Sequence, residues 1–272
     1  MPVDPAAATT FLFVPAARPD RFDKAVAAGA DVVVLDLEDA VAPEGKDEAR
    51  TAVAGWLDAG GSALVRINGA DTPWFADDLA MARERGVAVM LPKAAPPWPE
   101  ALTDAGQSVV ALVETAVGLL AAAETARRPE VVRLAFGSVD LAAELGLDHT
   151  DVDALSHARS VLAVASRAAG LPGPIDGVTT AVRDEELLRA DCAHALSRGF
   201  TARLCIHPSQ VAPTAAALLP DEDTVRWARA VVEAAAGGAV AVLDGAMVDK
   251  PVVDRARAIL ARIGEPDPAQ GL

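Results

Sequence analysis

The stretch VVVLDLEDAVA, Val32–Ala42, decides how the rest of the chain is read. Val32–Leu37 is apolar except for Asp36, the pattern of a strand buried on both faces in a parallel sheet. The run breaks off at two adjacent carboxylates, Glu38 and Asp39. Packing gives no reason for a charge pair there. The C-terminal ends of parallel strands are, however, where α/β folds place their chemistry.

Outward from this stretch, further apolar runs end in the same way. Strands are expected at Thr10–Val14, Val32–Leu37, Ala63–Ile67, Val87–Leu91, Ser108–Val113, Val131–Phe136, Pro174–Asp176 and Ala202–Ile206. Helices are expected between most of them: Pro19–Gly29, Lys46–Ala59, around Trp74–Arg85, Ala116–Ala126, Asp153–Ala169 and Asp184–Arg198. A Pro-rich link and a short helix precede the fifth strand. Eight alternations predict an α/β fold of the (β/α)8 TIM-barrel type. A doubly wound sheet is disfavoured, because no G-x-G-x-x-G follows the first strand and no Walker A loop occurs.

After the eighth strand the pattern changes. A helix at Asp221–Ala236, a Gly237–Gly238 break, an apolar run at Ala239–Leu243 and the segment GAMVDKPVVDRARAILARIG predict a C-terminal helical arm. The expected division is a barrel over residues 1–220 and an arm over 221–272.

Composition limits the function. With 39 acidic and 24 basic residues, the net charge of −15 argues against a nucleic-acid groove or an anionic membrane surface. A local basic spot for an anionic cofactor remains compatible with it. Cys192 and Cys205 form neither a CxxC pair nor a zinc spacing. The opening MPVDPAAATT lacks the basic and apolar regions of a signal peptide, and no run reaches the roughly 18 apolar residues of a membrane span. A soluble, cytoplasmic protein is expected.

In a barrel, residues that follow the strands converge on one face. Here they are Arg18, the Glu38–Asp39 pair, Arg66 with Asn68, Lys93, Glu114, Gly137–Asp140, Asp176 and His207. Glu114 and Asp140, on successive strands, can share one hard divalent cation with water or substrate completing an octahedron. Arg66 offers a planar fork to a carboxylate or a developing enolate oxygen. Gly137 and Ser138, opening a helix, turn backbone N–H groups toward an anion. The set suits a substrate with an oxo or hydroxy group beside a carboxylate, chelated by Mg2+. Two structural readings compete: Arg66 as a partner of Glu38, and Lys93 as a Schiff-base nucleophile.

Seven motifs now carry a resemblance. DLEDAVAP (Asp36–Pro43), RIN (Arg66–Asn68), MLPK (Met90–Lys93), ETAVG (Glu114–Gly118), FGSVDL (Phe136–Leu141), CIHPSQ (Cys205–Gln210) and GAMVDKP (Gly245–Pro251) occur in the order seen in citrate lyase β-subunit-like proteins. The chain thus resembles the HpcH/HpaI aldolase superfamily, with malyl-CoA and citramalyl-CoA lyases, from about Phe11 to Gly264. The resemblance implies a barrel with an arm, assembled as a homotrimer or hexamer, and Mg2+ (or Mn2+) on Glu114 and Asp140. It implies Arg66 at the oxoacid or thioester oxygen, with Arg18 and Lys24 on the phosphates of a CoA thioester. Asp249, in the arm, would reach a neighbouring subunit's site. Glu38 and Asp39 would then orient Arg66, Lys93 and metal-bound water. The implied reaction is cleavage or formation of a 3-hydroxyacyl-CoA dicarboxylic thioester, giving acetyl-CoA or a similar acyl-CoA and a 2-oxo acid. Two alternatives stand beside it: the lyase component of a multi-subunit citrate lyase acting on a carrier-protein thioester, and a non-catalytic metabolite-binding protein.

Overall fold

A computed structural model describes residues 3–103, 106–235, 241–243 and 246–265. The chain divides into two compact units, Met1–Leu218 and Leu219–Leu272. In the first, β1 (Thr10–Pro15), α1 (Phe22–Ala27), β2 (Val32–Asp36), α2 (Lys46–Asp58), β3 (Leu64–Arg66), α3 (Phe75–Glu84) and β4 (Val89–Leu91) alternate regularly. Among its described residues, the link from β4 to β5 (Val109–Val113) holds a single 3-10 turn at Glu100–Leu102. There follow α4 (Ala116–Leu120), α5 (Ala122–Ala126), β6 (Val131–Phe136), α6 (Ser138–Leu145), α7 (Ser156–Ala168) and β7 (Ile175–Asp176). The unit ends with α8 (Glu185–Ser197), β8 (Ala202–Cys205) and α9 (Val211–Leu218). All eight strands are parallel and close on one another, with β1 paired to both β2 and β8. This is a (β/α)8 barrel.

Several expected elements come out shorter or divided. The helix expected at Ala116–Ala126 is two short ones that break at Ala121. The helix expected at Pro19–Gly29 opens as a 3-10 turn at Pro19–Arg21 and continues as α1. A further helix, α6, starts directly after β6 at Ser138 and runs into the stretch before α7.

Strand alternation sorts the core into two layers. Phe11, Val32, Val34, Leu64, Met90 and Ala135 belong to the cluster that fills the barrel. Leu12, Val33, Leu35, Val65, Val89 and Leu134 pack outward beneath the helices. By the same parity Asp36, Arg66, Glu114 and Gly137 fall in the inner series, at the C-terminal mouth. The opposite mouth is closed by Arg133, 1% exposed. Its guanidinium donates to the carbonyls of Pro5 (3.0 Å), Ala8 (2.5 Å) and Gly173 (2.8 Å), and to Thr201 Oγ1 (2.8 Å). It thereby ties the N-terminal segment across the barrel floor.

The second unit contains α10 (Glu222–Ala235), an antiparallel pair of β9 (Ala241–Leu243) and β10 (Ala246–Val248), and α11 (Lys250–Ala261). Its own core forms around Ala228, Val231, Val248, Ala256, Ile259 and Leu260. The expected Gly237–Gly238 break and Gly245 lie outside the described residues.

Candidate active site

Arg66 anchors the site. Its Nε and Nη2 form a fork on Asp36, at 2.7 and 2.6 Å, across a register in which the two residues are direct strand partners. Its Nη1 lies 3.0 Å from Glu38 Oε2 and 3.6 Å from Asp39 Oδ2. The ring of Phe13 lies 4.9 Å from the guanidinium carbon. Burial alone would weaken the charge, but Asp36, Glu38 and Asp39 hold the Arg66 pKa above its ordinary value. Arg66 is therefore both a structural partner of Glu38 and a cation turned to the cavity.

Glu38 Oε1 accepts from Lys93 Nζ at 2.7 Å, so this ammonium is ion-paired and held charged. That state is the wrong one for a Schiff-base nucleophile. Lys93 is also the one non-glycine among the described residues at positive φ, +49°. The left-handed turn aims its backbone N–H at Glu114 Oε1, 2.8 Å away. Glu38 itself titrates above the ordinary range, because burial outweighs the pull of Arg66 and Lys93.

Glu114 is 3% exposed. Burial first, then the neighbouring charge of Glu38, pushes its pKa up to about 8; the Lys93 N–H opposes this and Asp140 adds to it. Opposite it, Gly137 leaves room that the carboxylate fills: a Cβ there would lie 2.5 Å from Glu114 Oε2. Asp140 stands exposed in the first turn of α6, and Ser138 is buried at its start. Arg66, Glu114, Gly137, Ser138 and Asp140 all line one cavity of about 70 Å³, with Phe13, Leu112, Val178 and Leu204 as apolar walls.

Among the described residues no group of three or more His, Cys, Asp or Glu side chains is placed to hold a metal. Two carboxylates facing one cavity nonetheless match the donor set of Mg2+, which takes one or two carboxylates and fills its octahedron with water and substrate oxygens. Glu114, costly to ionise without a neighbouring cation, fits such a role.

A groove of about 400 Å³ lies beside the cavity, sharing Phe13 as a wall. Arg18, Arg21, Lys24 and His207 line it. Arg18 is folded onto Asp20 by a two-point contact, 2.8 and 2.9 Å. His207 caps the short turn at Pro208–Gln210, accepting from Ser209 N, which fixes the last loop of the barrel.

One expected placement differs. Asp176 does not face the cavity: Ile175 takes the inward position on β7, so Asp176 points outward and bridges Arg159 (2.9 Å) and Arg203 (2.9 Å). Asp249 caps α11, accepting from Val252 N at 3.3 Å, within the second unit. Two residues escaped the sequence reading. Asp36 is the main partner of Arg66, and Lys46 is buried behind Glu38.

Comparison with known proteins fits this geometry. A family model, HpcH/HpaI aldolase/citrate lyase, matches residues 9–98 and 99–208. The chain belongs to this family. By that membership it is an enzyme of the carbon–carbon lyase class. It is 40% identical over 269 residues to a citrate lyase subunit beta-like protein of Mycobacterium tuberculosis, covering 96% of this chain and 97% of the relative. A (3S)-malyl-CoA thioesterase of Cereibacter sphaeroides is 35% identical, with 92% and 93% covered. Among solved structures, CitE from Mycobacterium tuberculosis, in complex with magnesium, acetoacetate and coenzyme A, superposes with a TM-score of 0.84 at 39% identity. That match covers 96% of this chain and 99% of the other. No helix among the described residues is long and apolar enough to cross a membrane.

Proposed function

We propose that the chain is a Mg2+-dependent lyase that cleaves, or in reverse forms, a 3-hydroxyacyl-CoA dicarboxylic thioester, with acetyl-CoA or a similar acyl-CoA and a 2-oxo acid as products. The observation that carries this reading is the single cavity shared by Glu114, Asp140 and Arg66, opening beside a groove lined by Arg18, Arg21 and Lys24. The magnesium and coenzyme A bound by the Mycobacterium tuberculosis relative support the same ligands here.

Glu114 and Asp140 would hold the metal, which supplies Lewis acidity to the oxygens of the oxo acid. Arg18 and Lys24 take the phosphates of the CoA thioester, and Arg18 exchanges its contact with Asp20 for one with phosphate. Cleavage begins with loss of the substrate's hydroxyl proton to solvent water. The carbon–carbon bond then breaks, a carbonyl forms on the departing 2-oxo acid, and the electron pair passes to the acyl-CoA as an enolate. Arg66 Nη1, the guanidinium nitrogen not spent on Asp36, stabilises the enolate oxygen. The backbone N–H of Ser138, at the start of α6, receives the carboxylate; that of Gly137, expected to share this role, is spent on Val113 O at 3.0 Å. Asp249 of the second unit delivers the proton to the enolate carbon, acting in a neighbouring subunit of a homotrimer or hexamer.

A screen of 3-hydroxyacyl-CoA dicarboxylic esters with Mg2+, read by release of acyl-CoA and 2-oxo acid, tests the reading. Turnover should require Mg2+ and vanish in Glu114→Gln and Asp140→Asn. A folded protein that cleaves no such ester would refute it, and cleavage of carrier-protein thioesters alone would move it to the citrate lyase complex.

A further inference from the structure

Lys46 is the first residue of α2 and is buried, 6% exposed. A cation at a helix N-terminus opposes the helix dipole, so neither helix stability nor solvation accounts for it. Its ammonium instead spends all three protons on fixed acceptors: Leu37 O, Glu38 O and Asn68 Oδ1, each at 2.7 Å. The first two carbonyls directly follow Asp36, and Asn68 lies two residues beyond Arg66. Asn68 is itself held, its Nδ2 at 2.6 Å and its backbone N at 2.9 Å from Asp78 Oδ2. Asp78 accepts a further bond from Arg50 Nε at 2.7 Å.

We infer that Lys46 is a positioning residue that locks the ends of β2 and β3 together and so fixes the Asp36–Arg66 fork and Glu38 beneath the substrate. The strand register alone sets Arg66 beside Asp36 to within side-chain freedom. Lys46 removes that freedom at the point where both strands become loops. Burial works against its charge, and the carboxylates of Asp36, Glu38 and Asp78 oppose that loss. The kinetic part of this inference rests on the lyase reading; the geometric part does not.

The test compares Lys46→Met with Arg133→Met, a buried cation at the opposite barrel mouth. The first readout is the slowly exchanging Nε–H signal of Arg66 in 15N spectra, assigned by its loss in Arg66→Lys. The second is turnover of the best ester from the screen. Lys46→Met should shift or broaden the Arg66 signal and lower kcat by at least ~10-fold, with KM for the CoA ester changed less than ~3-fold. Lys46→Arg should restore part of both. Arg133→Met should leave both as in the wild type at similar loss of stability. An unchanged Arg66 signal in folded Lys46→Met overturns the inference. A wild type inactive on every ester defeats the lyase reading instead, and the Arg66 signal then decides the role of Lys46 alone. Should Lys46→Met not fold, Lys46→Arg and Asn68→Ala read the same signal, and no shift in either overturns it.

Discussion

Glu114 carries a pH dependence that follows from its surroundings. Its carboxyl is raised from 4.5 to about 8, so between those values the native state keeps a proton the unfolded chain has lost. Metal-free stability should therefore fall as pH rises through that window and level off above it. Chemical denaturation of metal-free protein at pH 5.5 and 8.5 should show the drop, and Glu114→Gln should lose Glu114's share of it. The same linkage makes Mg2+ binding release close to one proton at pH 7, measurable by calorimetry in buffers of different ionisation enthalpy. Metal uptake without proton release would contradict the assignment. Asp36 gives the second residue-level expectation. Asp36→Ala frees the Arg66 fork and should lower kcat/KM roughly 100-fold, mostly through kcat. The sequence displayed Glu38, Arg66, Glu114 and Asp140 because strand ends are readable from apolar runs. It concealed Asp36, which reads as an interruption of such a run until its parity with Val32 and Val34 is followed inward. Lys46 gave no signal, since its acceptors are two backbone carbonyls and one amide brought together only by folding.

At the scale of elements, the eight strands were legible and the breaks within helices were not. Ala116–Ala126 is rich in helix formers apart from Gly118, and the break falls at Ala121, where the local sequence carries no stop signal. The short β7 likewise bears its charge on the outer face, against Arg159 and Arg203, where a strand-end rule alone places it at the site. Arg133 shows how much one side chain on β6 does for the barrel floor. Arg133→Met strands several buried carbonyls without donors and should cost roughly 2–4 kcal/mol in urea unfolding. A loss below ~1 kcal/mol would mean that the N-terminal segment holds itself in place.

The whole molecule combines a net charge of −15 with one groove lined by Arg18, Arg21 and Lys24. An anionic protein repels an anionic ester at long range and captures it at short range. Added salt weakens both, and the local contacts dominate once the ester is seated. KM for a CoA ester should therefore rise between low and physiological salt, and Arg18→Ala should raise KM at low salt and flatten that dependence. An unaltered salt profile in Arg18→Ala would remove this arginine from the phosphate contacts. Gly137 extends the argument to descent with loss of function. The space a methyl group would need there is already taken by Glu114. An alanine at this one position would displace the carboxylate while every charged residue stayed in place. A relative altered only in this way would keep the full set of ionisable motifs and have no catalysis. Among such proteins, the presence of a hydrogen where others carry a carbon separates an enzyme from a silent copy.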